Sequence, residues 1–354
     1  MNSLQIKCTG ELSNRDVAAW REIASLNEVT SHPFLQPEFV QAVGKHRPET
    51  RVAVIQNGSD YVGFFPYQTT SAGVGHPVLP ELTDYHGLIA TDALDLSAEE
   101  LLRKCGLLVW HFDHLPVSQG MFRRHHAYQD PSYLVRLSAG FENYAAELRE
   151  RKSSVLSQAL RKSRKLEREL GPVTFHVHEE SEEAVTNLVD WKRVHLDRRS
   201  GSNPFVRPWM HSLLREVSQT HGETFHPELS VLRAGGQCLA VHFGLRTGNR
   251  LVSWIPTFAP EFSQYSPGQV LYAELIRSAA DRGIAEIELG RGENQLKLSL
   301  SNASVPLAVG AVDLRMTSRV IRSGWFRMRQ MVHSNGFLKQ HSLPFLRRIK
   351  SFVS

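Results

Sequence analysis

Apolar and polar residues alternate with a period of two in several short stretches of the chain, which is typical of β-strands. Residues 51–56 alternate in this way, Asn57-Gly58 is a strong hairpin signal, and residues 61–67 form the predicted returning strand. Residues 229–258 contain three such stretches separated by glycine turns, which predicts an antiparallel meander. Further strands are predicted at 107–112, 133–137, 173–177, 284–289 and 309–314.

Longer stretches repeat apolar residues every three or four positions, as amphipathic helices do. Helices are predicted at 13–23, 97–104, 141–170, 181–198, 208–220 and 269–281. Gly171-Pro172 should end the long helix 141–170, since glycine closes helices and proline cannot continue them. We therefore expect an N-terminal domain at 1–140, a C-terminal domain at 141–315 and a tail at 316–354.

The chain has 354 residues, of which 41% are hydrophobic, so about two globular domains are expected. No apolar stretch approaches the ~18–20 residues that a membrane-spanning helix requires. The first residues lack the apolar core of a secretory signal, which favours a cytoplasmic location. The three cysteines are far apart in sequence, without a C-x-x-C motif, and indicate neither a disulfide framework nor a thiolate metal site.

The positive charge of the chain is concentrated in its tail. From Asp313 onward there are nine Lys and Arg residues and one acidic residue, while the rest of the chain carries a small net negative charge. The folded body is therefore not expected to bind nucleic acid. Apolar residues recur among the tail arginines, which predicts a basic amphipathic helix at the surface of an anionic membrane, peripheral to the inner membrane. Packing of the same apolar face onto the second domain is the alternative.

Two glycine-containing loops are candidates for chemistry. In Tyr265-Ser266-Pro267-Gly268-Gln269, a predicted N-cap serine and an N1 proline begin a helix, and the glycine would let a phosphate approach free N–H groups. Gly290-Arg291-Gly292-Glu293 follows a strand, at the position where open α/β sheets carry ligand groups. A capped helix without a ligand and a plain surface turn are the alternatives.

Several motifs in order carry a family resemblance. They comprise residues 239–246, Trp254, residues 265–268, residues 288–293 and Lys297, preceded by the basic run 161–165 and by Thr83-Asp84-Tyr85. Together they resemble the GNAT-like acetyltransferase family associated with bacterial cellulose and exopolysaccharide biosynthesis, which is related to the Fem-type transferases. The resemblance covers most of residues 20–300. The sequence differs from the family pattern in having Glu288 where an aspartate is usual and Leu296 where an aromatic residue is usual.

The resemblance implies a tandem GNAT-like α/β fold with two mixed β-sheets flanked by helices. It also implies an acyltransferase that moves an acyl group, most often acetyl, from acyl-CoA to an amine or hydroxyl of a sugar or lipid-linked saccharide. A Fem-type aminoacyl transferase using charged tRNA and a non-catalytic assembly factor of a polysaccharide synthesis system remain alternatives. The predicted helices 141–170 and 181–198 are separated by a strand, which disfavours the long helical hairpin of the tRNA-dependent relatives.

Acyl transfer requires a group that takes the proton of the nucleophile. The candidate bases are Glu293, His242 and Asp84. His242 lies in a strand of apolar residues and is equally compatible with a hydrogen-bonded core histidine, and Asp84 with a turn residue. The expected donor-binding residues are Tyr265, Ser266, Gly268, Gln269 and Arg291, and the expected acceptor-binding residues are Tyr85, Trp254 and Lys297. For Lys297 and Arg291, the alternative is a plain surface position. The basic helix 147–169 could attract an anionic substrate or donor, and the alternative is a solvated helix face.

The segment His111-Phe112-Asp113-His114 contains imidazoles and a carboxylate. On a regular strand, alternate residues point to opposite faces, so His111 and Asp113 would share one face and His114 the other. We therefore expect no metal site.

Overall fold

A computed structural model describes residues 2–70, 73–197, 203–292 and 294–315. Its strands are β1 Asn2–Cys8, β2 Thr50–Asn57, β3 Asp60–Thr69, β4 Val74–His76, β5 Ile89–Ala90, β6 Val109–Pro116, β7 His126–Arg136, β8 Val173–Val177, β9 Phe225–Ala234, β10 Gln237–Thr247, β11 Arg250–Phe258, β12 Glu286–Arg291 and β13 Ala303–Asp313. Its α-helices are α1 Asn14–Ser25, α2 Pro37–His46, α3 Ala98–Lys104, α4 Gly140–Glu150, α5 Val155–Leu170, α6 Glu182–Asp197, α7 Trp209–Gln219, α8 Pro267–Asp281 and α9 Gln295–Leu300. Glu293 and the predicted tail 316–354 lie outside the described residues.

The strands form one continuous mixed sheet in the order β1-β2-β3-β4-β6-β13-β7-β12-β11-β10-β9-β8, with β5 on β3. The pairs β4–β6 and β11–β12 are parallel, and the other pairs are antiparallel. The mixed sheet with flanking helices agrees with the predicted α/β class. The two predicted sheets are joined, however, because β13 lies between β6 and β7, and β7 also pairs with β12. The expected boundary near residue 140 does not interrupt the sheet.

Local sequence signals explain several elements. Ser13 caps α1 and forms a capping box with Asp16, at the start of the helix predicted for residues 13–23. The predicted helix 141–170 is divided into α4 and α5, because Lys152 has a positive φ of 56°. A lysine in that conformation ends a helix as glycine does, although its sequence carries no such signal.

The strands β11 and β12 stop pairing after a short parallel ladder, and the region between their unpaired carboxyl ends is called the cleft here. The parallel ladder joins only three positions, from Arg250 with Glu286 to Val252 with Glu288. Beyond them β11 continues to Phe258 and β12 to Arg291, with no further ladder between the two strands in the described residues. The helix α8 connects these strands. Their carboxyl ends therefore meet the start of α8 at one edge of the sheet, the position where α/β folds bind ligands.

The two halves of the chain share one hydrophobic core. It combines Trp20, Phe39 and Phe64 from the first half with Phe225 and Phe243 from the second. This common core fixes the loop 83–86 of the first half against the end of β12. None of the described helices has the length and apolar character needed to cross a membrane.

Candidate active site

The loop 83–86 brings Asp84 to the carboxyl end of β12. A Cβ added at Gly290 would lie well inside van der Waals contact of the Asp84 carboxylate, 3.1 Å from its Cγ and 3.6 Å from Nζ of Lys297. Gly290 has a φ of +76°, a conformation that favours glycine. Glycine at this position thus leaves room for the Asp84 carboxylate at the strand end, with Lys297 nearby. The structure brings together these two residues, which the sequence predicted for different roles.

Asp84 is partly exposed, and no hydrogen bond or ion pair joins its carboxylate to another residue in the described part of the chain. Burial raises the pKa of Asp84, and the nearby carboxylate of Glu288 adds to the effect. Burial lowers the pKa of Lys297, whose Nζ donates a hydrogen bond to the carbonyl of Arg291 at 2.8 Å. The end of β12 therefore presents a carboxylate without a partner among the described residues, near a partly buried amine.

A buried histidine that the sequence did not indicate, His32, lies next to the loop 83–86 and contacts Glu288. His32 Nε2 lies 3.1 Å from Glu288 Oε2, and Ser132 Oγ donates to Glu288 Oε1 at 3.1 Å. His32 Nδ1 accepts the Phe34 N–H, so Nε2 carries the hydrogen that is donated to Glu288. Burial lowers the pKa of His32, and contact with His32 holds the pKa of Glu288 below its usual range despite burial.

The ring of His32 also stacks on Tyr85, with centroids 3.8 Å apart and planes 2° apart. Tyr85 was predicted to bind the acceptor, yet its side chain is buried against this imidazole. It follows Asp84 directly in the chain. The stacked pair therefore positions the backbone that carries the Asp84 carboxylate.

His242 lies in the core. Its Nε2 is 3.0 Å from Ser253 Oγ, which is 2.9 Å from the Tyr272 hydroxyl, so the chain of contacts crosses from β10 through β11 to α8. Burial lowers the pKa of His242 to about 3. Burial raises the pKa of Tyr272 to about 12, and the charge of Asp84 contributes, which places this phenol near the cleft.

The predicted donor-binding residues gather at the start of α8. Ser266 has a left-handed backbone, with φ 51° and ψ 55°, and its side chain makes no capping hydrogen bond. The predicted serine N-cap is thus wrong. A capping residue needs an extended backbone, whereas Ser266 ends the short 3₁₀ turn Pro260–Tyr265 and is left-handed. Among the described residues, a Cβ added at Gly268 would contact Phe258 alone, at 3.5 Å, so this glycine leaves its side of the helix start open.

The basic helix α5 packs beside this helix start. Lys162 Nζ donates to the side-chain carbonyl of Gln269, whose amide donates in turn to the Val155 carbonyl at 3.0 Å. Lys165 Nζ lies 4.9 Å from the centre of the Tyr265 ring. Cationic side chains and helix N–H groups therefore occupy one surface, a combination that attracts phosphate.

Arg291 was predicted to bind the donor and Trp254 the acceptor, but both side chains bond to other parts of the protein. Arg291 does not join the α8 group: its guanidinium donates to the Asp113 carbonyl, and its Nε lies 3.7 Å from Asp130 Oδ2. Trp254 donates from Nε1 to the Leu82 carbonyl at 2.9 Å, just before the loop that carries Asp84. Trp254 thus anchors that loop to the second half of the chain.

The strand β6 contains a bulge that overturns the predicted alternation. Gly310 of β13 pairs with Phe112 and Ala308 with Leu115, so Asp113 and His114 together face one residue of β13. Their side chains therefore point the same way, and His114 Nδ1 lies 2.7 Å from Asp113 Oδ1. Our expectation that His114 faces away from Asp113 is wrong, because the bulge adds one residue to the strand.

Residues 153–298 match a family model described as an acetyltransferase (GNAT) domain. The comparison with curated proteins gives no match. The match includes α5, the meander, the start of α8, Gly290 and Lys297, but it does not include Asp84.

Several solved structures share the fold. FemX is 8% identical, with a TM-score of 0.58 over 90% of this chain and 99% of that chain. A C-terminal domain assigned to a lysylphosphatidylglycerol synthetase from Agrobacterium fabrum is 12% identical, with a TM-score of 0.54 over 90% and 96%. A tandem GNAT protein from the clavulanic acid biosynthesis pathway is 9% identical, with a TM-score of 0.50 over 90% and 100%.

These likenesses extend over most of the chain and confirm the predicted fold class, a GNAT-like α/β fold with a mixed sheet flanked by helices. Residues 153–298 match an acetyltransferase domain, which confirms the predicted enzyme class, an acyltransferase.

Proposed function

We propose that the protein transfers an acyl group, with acetyl as the first candidate, from acyl-CoA to an amine or hydroxyl acceptor in the cleft at the ends of β11 and β12. The observation that carries this proposal is the position of the Asp84 carboxylate against Gly290, with Lys297 nearby. A carboxylate from the first half of the chain, without a partner among the described residues, thereby faces the strand end of the matched acetyltransferase domain.

We place the acyl-CoA donor at the start of α8 because this surface is positively charged and its backbone is accessible. The phosphates of CoA require N–H groups and cations, and the start of α8 offers both beside Lys162 and Lys165. Gly268 leaves the backbone accessible on this surface. We infer that Tyr265, Ser266, Gly268 and Gln269 contact the pyrophosphate or the adjoining part of the donor.

The reaction requires that a nucleophile attack the thioester carbonyl carbon while it loses a proton. We propose that Asp84 removes this proton, because its carboxylate is partly exposed in the cleft and has no partner among the described residues. The C–S bond then breaks, and the thiol of CoA leaves with a proton. His242 is a weaker candidate, because its ring is buried against Ser253. Glu293 remains a candidate outside the described residues.

For the acceptor, we propose an amine or hydroxyl of a cell-envelope or exopolysaccharide precursor, such as a sugar or lipid-linked saccharide. The family resemblance of residues 239–297 supports this class, and Lys297 and Arg291 would favour an acceptor that carries negative charge. A lipid-linked acceptor would also suit a cytoplasmic enzyme whose basic tail 316–354 contacts an anionic membrane.

Aminoacyl transfer from charged tRNA is the second candidate, since FemX shares the fold. In the described residues the strand β8 separates α5 from α6, so these helices do not form a continuous helical hairpin. This separation favours acyl-CoA as the donor.

A panel of acyl-CoAs, assayed by thiol release with amino-sugar and saccharide acceptors, tests the proposal. Asp84→Asn should lower turnover by about 10²–10⁴-fold if Asp84 is the base. His242→Gln and Glu293→Gln serve as the competing variants. If all three retain wild-type turnover, none of these residues is the base.

Donor binding is tested separately by calorimetry. Gly268→Asp should weaken acyl-CoA binding, because it adds a negative side chain where the backbone must approach phosphate. Gly10→Asp is the matched control, since an added Cβ there meets no atom of the described residues within 4 Å and Gly10 lies beside the edge strand β1. Equal affinities of wild type and Gly268→Asp would refute the donor placement.

A further inference from the structure

A second polar cluster lies on the β6 side of the cleft. Because of the bulge, Asp113 and His114 point toward His86, and one ligand atom from each of the three residues lies within 4.8 Å of the other two. His114 Nδ1 is 2.7 Å and His86 Nδ1 3.6 Å from the same oxygen, Asp113 Oδ1. These distances bracket the separation of about 3.3 Å between ligand atoms that bind one tetrahedral metal ion at about 2 Å. Without a metal ion the His114 Nδ1–H donates to Asp113 Oδ1, so metal binding through Nδ1 would move the ring hydrogen of His114 to Nε2.

The hydrogen bonds of His86 determine which of its nitrogens carries the hydrogen. Its Nε2 lies 3.2 Å from both the carbonyl oxygen and Oγ1 of Thr83. The Thr83 hydroxyl donates to the carbonyl of Val78 at 2.8 Å, so its oxygen is available as an acceptor. Both neighbours of Nε2 accept, so Nε2 is the donor and the neutral ring exposes a lone pair on Nδ1.

That lone pair faces another acceptor. His86 is 2% exposed, and its Nδ1 has no hydrogen-bond partner in the described residues. The Asp113 carboxylate oxygen Oδ1 lies 3.6 Å away and cannot donate while ionised. The buried Nδ1 and the partly exposed carboxylate oxygen are two acceptors that face each other, and a cation bound between them would remove their repulsion.

We propose that His86, Asp113 and His114 form a binding site for a divalent transition metal, with Zn²⁺ as the first candidate. Two imidazoles and one carboxylate form a ligand set suited to such ions, and they leave a fourth position for water or substrate. Mg²⁺ and Ca²⁺ prefer all-oxygen ligands and fit these nitrogens poorly.

Arg291 lies beside Asp113 but approaches a different carboxylate oxygen from the one that the two histidines approach. Its Nη2 lies 3.9 Å from Asp113 Oδ2, whereas the two histidines approach Oδ1. A carboxylate that binds a metal through one oxygen and an outer-shell cation through the other is a common arrangement. The guanidinium would therefore orient Asp113 rather than replace the ion.

The ion would connect two elements that carry the cleft. His86 is two residues from Asp84, and its N–H already donates to the His114 carbonyl at 2.9 Å. Coordination through both imidazoles would strengthen this connection between the loop 83–86 and β6. The proposal concerns binding and does not depend on the acyl-transfer assignment.

The test uses the untagged full chain, freed of metal by a chelator and dialysed. Calorimetric titration with Zn²⁺ should give one equivalent bound, and bound Co²⁺ should give visible absorption typical of nitrogen and oxygen ligands. His86→Gln and His114→Gln should each weaken Zn²⁺ binding by more than the roughly 10–100-fold that loss of an outer-shell partner costs. Zn²⁺ should also raise the Tm of the wild type but not that of these variants.

His111→Gln is the matched control, because His111 lies on the same strand and its ring stacks on His76 instead. Its affinity for Zn²⁺ should equal that of the wild type. His114 is partly exposed, so His114→Gln remains informative if the buried His86→Gln variant fails to fold. Absence of stoichiometric Zn²⁺ binding, or unchanged binding by folded His114→Gln, would overturn the proposal.

Discussion

Substitution of Gly290 tests whether the Asp84 carboxylate acts at the end of β12. In Gly290→Ala, the new methyl group would overlap the carboxylate and lie 3.1 Å from its Cγ. Ordinary carbon contacts need about 3.5–4 Å, so the carboxylate must move by about 1 Å or more. Lys297 Nζ, at 3.6 Å from the methyl, can remain in place. The substitution therefore displaces one functional group and leaves its neighbour.

Two magnitudes follow from this geometry. Alanine at a φ of +76° costs about 1–2 kcal/mol of folding free energy, which a folded chain of this size tolerates. Misplacing a catalytic group by about 1 Å can cost about 10²-fold in rate, equivalent to about 2.7 kcal/mol of transition-state stabilisation. We expect kcat/KM to fall about 100-fold while the protein remains folded.

Gly292→Ala provides the matched control. Gly292 also has a positive φ, +91°, but no atom of the described residues lies within 4 Å of the added Cβ. Both variants should lose similar stability in urea denaturation, and only Gly290→Ala should lose most of its thiol-release activity. In an Asp84→Asn background, Gly290→Ala should add little further loss, because the group that it displaces is no longer a base.

Two results would refute this reasoning. Wild-type activity of Gly290→Ala would mean that the position of the Asp84 carboxylate does not matter for turnover. Equal loss in the Gly290 and Gly292 variants would mean that backbone strain, rather than displacement of Asp84, causes the defect.

Three further predictions concern the buried groups and the tail. Glu288→Leu leaves the buried donors of His32 and Ser132 without an acceptor and should lower the free energy of unfolding by about 2–5 kcal/mol in urea, whereas a loss below about 1 kcal/mol would contradict this acceptor role. The folded-state pKa of His242 is about 3 against 6.5 when unfolded, so the unfolded chain binds more protons between these values. Stability should therefore fall by about 1.4 kcal/mol per pH unit as the pH drops below 6.5, and urea titrations of His242→Gln should lack that part of the slope. For the tail, the full chain should co-sediment with anionic liposomes at low salt and a chain ending at Ser318 should not; failure of both to bind would exclude the membrane role, and insolubility of the shortened chain would indicate packing onto the fold.

Local patterns predicted the elements whose signals are contained within a few residues. The hairpin around Asn57-Gly58 is found as β2 and β3, with Gly58 at a φ of 63°. The strand β1 was not predicted, because it is a sheet edge with mostly exposed side chains and so lacks a buried face. The break at Lys152 was missed for a different reason: no glycine or proline marks it.

The site depends on contacts that no local pattern encodes. His32 and Glu288 are 256 positions apart, and nothing around His32 in the sequence indicates a carboxylate partner. The shared orientation of Asp113 and His114 arises from the bulge against β13, a strand that lies almost 200 residues later. The sequence did supply Asp84 and Lys297, through the family resemblance, but only the strand order brings them to the same glycine.

The same strand order argues against independent action of the matched acetyltransferase segment. Within residues 153–298, β12 would keep its short parallel ladder with β11 but lose β7, its antiparallel partner on the other side. Ser132 lies on β7 and binds Glu288, so that carboxylate would lose both Ser132 and His32. Asp84 would be absent as well. An unpaired β12 edge and a buried carboxylate without partners both disfavour the folded state, so the proposed acyltransferase site requires the two halves together.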